Sequence, residues 1–113
     1  MEPVDKLDPI RQIDPKLRVN LEETQRDAYA DGALPAKFKL LVAMALDAIH
    51  HAPEGVQVLA RLALEQGASW AEIGEVLAVV YYNCGAIPLY TASDALKPLL
   101  EDLWNKEIEV KSF

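Results

Sequence analysis

The stretch IHHAPEG at residues 49–55 sets His50 and His51, the chain's two histidines, just before Glu54. Imidazole titrates near neutral pH and a carboxylate gives or takes a proton, so these groups could do acid/base work or begin a metal site. Two observations weigh against a metal. Adjacent residues on a helix point about 100° apart, so the two rings cannot simply face one ion. One carboxylate lies nearby and no third ligand is signalled. No metal is expected, and no residue pattern calls for a cofactor. Pro53 also interrupts any continuous helix between His50 and Glu54. Each group has a structural reason to be there. A glutamate in the first turn after a proline and a histidine at a helix end both suit the helix dipole, by about 0.3–1 kcal/mol each. If Glu54 were buried against an apolar wall its pKa would rise, which suits a general acid or base.

The remaining chemistry is sparse. Cys84 is the single cysteine. It cannot form an intrachain disulfide, a reduced compartment is the simplest setting, and activating the thiol would need a basic neighbour that is not local. Arg61 could meet a substrate carboxylate or an ordinary surface partner. Tyr82 could hydrogen-bond a ligand while Tyr81 packs. The candidate set is thus Glu54, His50 and His51 for catalysis, with Arg61, Tyr82 and Cys84 for substrate binding.

The elements that would position these groups are helical. Residues 1–15 carry Pro3, Pro9 and Pro15 among acids and are read as an extended arm. Residues 16–113 are read as one all-α domain of about six helices. The first runs from about Lys16 to Ala30. Pro35 opens the second, whose apolar stripe is Phe38, Leu41, Val42, Ala45, Leu46 and Ile49. Its other side (Leu40, Ala43, Met44) is apolar too, so this helix is expected to be buried on most sides. Pro53 opens the next and Gly67 stops it. Ser69 with Glu72 forms a capping box for the fourth. Pro88 and Pro98 are read as starting two further helices. No strand alternation persists.

With 51% hydrophobic residues in 113, the chain can bury a core and still has apolar surface to spare, so self-association is expected. A net charge of −7 makes nucleic acid and anionic membranes poor partners. LALEQGASWAEIGEVL has the look of a helix-turn-helix, but AVVYYNCGAIPLY follows it. That stretch brings no basic residue to read bases. No apolar run is long enough to span a bilayer and MEPVDKLDPI has no signal-like core, so a cytoplasmic protein is expected.

The segment GASWAEIGEVLAVVYYNCGAIPLYTASDAL, with Gly67, Ser69, Glu72, Ile73, Glu75, Gly85 and Pro88, resembles the carboxymuconolactone decarboxylase family, which includes the alkylhydroperoxidase D proteins. LPAKFKLLVAMALDA resembles that family's first core helix, and the likeness covers about residues 34–97. CGAIP holds one residue more than the family's usual spacing before its proline. The resemblance implies an all-helical fold assembled as trimers or hexamers. It also implies two chemistries. The peroxidase branch uses a Cys-x-x-Cys pair with a histidine and a glutamate. Those positions fall here on Ala52, Gly55, Leu59 and Leu40, so thiol–disulfide peroxidase chemistry is not expected. The decarboxylase branch keeps a glutamate, for which Glu54 can stand, and a histidine, which is again Leu59 here. Two readings follow. One is a decarboxylase-like lyase with a pocket for a small organic acid or lactone at a subunit interface, where His50 or His51 replaces the missing histidine. The other is a non-catalytic oligomeric binding protein that has lost the family chemistry.

Overall fold

The computed structural model describes the backbone of residues 7–111 and the side chains of residues 7–103. Residues 1–6 of the expected arm and residues 112–113 lie outside the described part. Six helices follow one another: α1 (Asp8–Ile13), α2 (Pro15–Tyr29), α3 (Ala36–Ile49), α4 (Pro53–Glu65), α5 (Trp70–Cys84) and α6 (Ile87–Lys111). There is no strand among the described residues, so the fold is all-α, as expected. No described helix is long and apolar enough to cross a membrane.

Proline placement accounts for both the agreements and the differences. Pro53 sits in the first turn of α4 and Pro35 caps α3, where a missing N–H costs nothing. The same rule corrects the extended arm. Pro9 lies in the first turn of α1, and Pro15 begins α2 behind Asp14, whose carboxylate accepts from the Leu17 N–H at 3.1 Å. These prolines start helices, so residues 8–13 are helical rather than extended. Pro98 behaves in the opposite way. The two helices expected around it are one, and Pro98 stands inside α6. A proline removes one ladder bond and opens the preceding turn. In that turn the Ala95 carbonyl accepts from Gln57 Nε2 of α4 at 3.0 Å. This contact ties α4 to α6 one residue beyond Asp94, whose carbonyl loses its helical donor to Pro98.

The core sits where α3 and α4 form a tight hairpin, with α6 packed on α4 and α5 against α3 and α6. Met44, Val56 and Ile73 are the largest fully buried side chains. Ala48, Ala60, Ala63 and Ala92 are buried completely, and such small contacts let helix axes approach closely. Ser69 and Glu72 make the expected capping box at the start of α5. The Glu72 N–H donates to Ser69 Oγ at 3.0 Å, and the Ser69 N–H donates to Glu72 Oε1 at 2.9 Å. Such a cap is worth about 0.5–2 kcal/mol. The Ser69 N–H, then Lys37 at 3.1 Å, holds the Glu72 carboxyl below its usual range. That stabilisation is present above the unfolded-state pKa and fades as pH falls through the lowered folded-state value.

The expectation that α3 is buried on most sides holds for one side only. Leu40, Leu41, Met44 and Ala48 face the core. Half of the six-residue stripe looks outward: Phe38 is 42%, Val42 55% and Leu46 51% exposed, while Leu41 is buried. Both sides of α3 are apolar, so periodicity alone does not say which one the alanines of α4 will meet.

Candidate functional site

The IHHAPEG joint is a hydrogen-bonded helix stop. The Ala52 N–H donates to the Asp47 carbonyl at 2.9 Å and the His51 N–H to the Ala48 carbonyl at 3.2 Å. This paired pattern places His51 at the left-handed position, with φ 58°. The end of α4 repeats it. There the Ala68 N–H reaches the Ala63 carbonyl at 2.9 Å, the Gly67 N–H reaches the Leu64 carbonyl at 3.0 Å, and the left-handed residue is Gly67 at φ 98°. Glycine adopts that conformation freely, whereas a residue with a Cβ is strained by about 1–2 kcal/mol. His51 is therefore held against its backbone preference. Its Nδ1 lies 3.4 Å from Thr91 Oγ1 of α6, a long and weak hydrogen bond. We expect His51→Gly to raise stability by about 1 kcal/mol, read as a higher denaturant midpoint at unchanged slope. A lower midpoint would mean that the Thr91 contact outweighs the strain.

Asp47 adds a second carboxylate to this joint, where sequence reading counted one. A Cβ on Gly55 would overlap the Asp47 carboxylate, so Gly55 is needed for close approach. Gly55 and Ala52 are the two positions where the resemblance puts paired thiols. The first turn of α4 here accommodates a carboxylate against bare backbone instead.

The six candidate side chains do not converge. His50, His51 and Glu54 are exposed around the joint. Arg61 lies two turns beyond Glu54, on the side of α4 away from buried Val56, Ala60 and Ala63. Tyr82, 88% exposed, and Cys84, also exposed, close the far end of α5. Among the described residues no group of three or more His, Cys, Asp or Glu could hold a metal.

Two surface features do gather residues. The first is a pocket of about 530 Å³ beneath α2. Leu40 of α3 and Val58, Leu59 and Leu62 of α4 line it. Leu40 and Leu59 are the positions to which the resemblance assigns the family's glutamate and histidine, and they meet at one cavity. None of the six candidates lines it. Its polar wall is Glu22, Gln25, Arg26 and Tyr29 of α2. These residues recur at helical spacing and so share one face. Sequence reading missed them because a polar stripe on a helix reads as solvent-facing. A tyrosine in step with that stripe was the available signal. Glu22 forms an ion pair with Arg18, Nε to Oε1 3.0 Å, and Tyr29 packs against the core.

The second feature is an apolar groove of about 650 Å³ between α3 and α5. Leu34, Phe38, Val42, Leu46 and Val79 line it, with Glu72 and Glu75 at its edge. Lys37 bridges to Glu72 and stands 4.9 Å from the centre of the Phe38 ring.

Comparison with known proteins places this geometry. The model of the carboxymuconolactone decarboxylase family matches residues 15–98, and the chain belongs to that family. Its fold is similar to the crystal structure, in apo form, of a carboxymuconolactone decarboxylase family protein from Legionella pneumophila. The two are 29% identical, the match covers 85% of this chain and 86% of that one, and the TM-score is 0.76. No curated protein matches the chain.

Proposed function

We propose that this protein uses the family scaffold to bind a small organic acid or lactone in the pocket beneath α2, closed at its open side by a neighbouring subunit of a trimer or hexamer. The carrying observation is that Leu40 and Leu59 line one cavity together. The place where the resemblance puts acid/base groups is kept as a hollow but is lined with hydrocarbon. That favours a binding protein without the family's chemistry. Paired-thiol peroxidase chemistry has no groups to run on, since Ala52 and Gly55 hold the thiol positions and Cys84 is the single cysteine.

A second reading keeps a decarboxylase-like lyase. Glu54 with His50 or His51 would exchange the proton that decarboxylation requires, and Arg61, Tyr82 or Cys84 would contact the substrate. The observation in its favour is the strained backbone at His51, because strain of this kind gathers at functional sites.

Leu59→Trp separates the two by filling the pocket while leaving the joint intact. Thermal shifts would be recorded with mono- and dicarboxylic acids and lactones of about four to eight carbons, sizes that suit a pocket of this class. We expect at least one compound to stabilise the native protein and to lose that effect in Leu59→Trp. Stabilisation that survives the tryptophan would move the site to the joint.

A further inference from the structure

The polar wall of the pocket has a charge pattern that selects among acids. Glu22, Gln25, Arg26 and Tyr29 all come from α2 and all line the cavity above Leu40 and Leu59. Glu22 is engaged by Arg18 at 3.0 Å, so its carboxylate is already balanced. Arg26, one helical turn further on, adds a guanidinium to the pocket wall. In a chain of net charge −7, a cation placed over an aliphatic hollow is a local reversal that favours an anion. Guanidinium offers a planar fork that fits a carboxylate with two parallel hydrogen bonds. The phenol of Tyr29, on the same wall, is a further donor suited to a carboxylate oxygen. The floor offers nothing polar. A second carboxylate on the ligand would lose its water against Leu40 and Leu59, which is unfavourable.

We infer that the pocket takes a small monocarboxylate, its hydrocarbon on Leu40 and Leu59 and its carboxylate on Arg26. The inference rests on the pocket being the binding site, and it assigns the anchor to α2, away from the joint. A dicarboxylate or a neutral isostere is discriminated against.

Isothermal titration of the full chain with hexanoate, hexanamide and adipate tests this, using the native protein, Arg26→Gln and Leu59→Trp. Arg26 lies on the exposed face of α2, so its replacement leaves the fold in place, and an unchanged thermal midpoint confirms it. Hexanoate should bind the native protein at least about tenfold more tightly than hexanamide or adipate, a ratio in the range that a charge-assisted pair provides. Arg26→Gln should bring hexanoate down to the level of hexanamide and leave hexanamide unchanged. Leu59→Trp should abolish both. Equal binding of acid and amide, or unchanged hexanoate binding in Arg26→Gln, overturns the anchor while loss in Leu59→Trp still upholds the pocket. Tighter binding of adipate than of hexanoate overturns the selectivity. Binding that persists in Leu59→Trp, or no binding by any of the three, overturns the pocket itself.

Discussion

Replacing Met44 by alanine should cost about 2–5 kcal/mol of stability. Met44 is completely buried on α3 and is among the largest fully enclosed side chains. It belongs to a buried cluster that combines Leu41, Val56 and Ile73 with several alanines. Alanines at 48, 60, 63 and 92 are themselves fully buried, and they hold the helices close enough that backbone limits further approach. A cavity opened in such a core closes only in part, so both the lost transfer energy and the void are felt. For a domain of this size each kcal/mol lowers the melting temperature by a few degrees, so a fall of roughly 8 °C or more is expected. The comparison needs equal protein concentrations, because the proposed assembly would contribute to the midpoint. A change below about 1 kcal/mol would mean that the α3–α4 contact relaxes freely, against the packing described.

Leu46→Glu should convert an assembled protein to monomers while leaving the helical fold intact. Leu46 is 51% exposed in the single chain, so a carboxylate there meets water in the monomer and costs the fold little. In an assembly that covers the α3–α5 groove, the same carboxylate would be buried among Phe38, Val42 and Val79 near Glu72 and Glu75. Burying an unpaired charge beside like charges costs several kcal/mol, enough to separate subunits at micromolar concentration. Light scattering should give a trimer or hexamer for the native chain and a monomer for the variant, with the same circular dichroism. A native protein that is monomeric at micromolar concentration would refute assembly, and a variant that stays assembled would place the interface on another face.

Much of this fold is legible residue by residue, and the misreadings share a cause. Pro35, Pro53, Gly67 and the Ser69–Glu72 pair act through local geometry, so α3 to α5 could be placed from sequence. Pro9, Pro15 and Pro98 are locally ambiguous, since a proline can open a helix, break it or be carried within it. At Pro98 the outcome is accompanied by Gln57 of another helix, and no local rule sees that contact. The choice of which side of α3 is buried was equally tertiary. The candidate site divides in the same way. The IHHAPEG joint was legible as a turn between helices, and Leu40 and Leu59, the positions singled out by the likeness, line one cavity. The α2 wall became visible only when chain distant in sequence was laid over them, because Glu22, Gln25, Arg26 and Tyr29 carry no motif.

The position of the ligand is tested most directly by titrating hexanoate into protein with isotope-labelled leucine methyls and histidine rings and following both sets of signals by NMR. The methyls of Leu40, Leu59 and Leu62 should shift together, while Leu46 and the rings of His50 and His51 stay in place. Shifts led by His50 and His51 with Leu40 and Leu59 unmoved, or no shift at all, would contradict a site beneath α2.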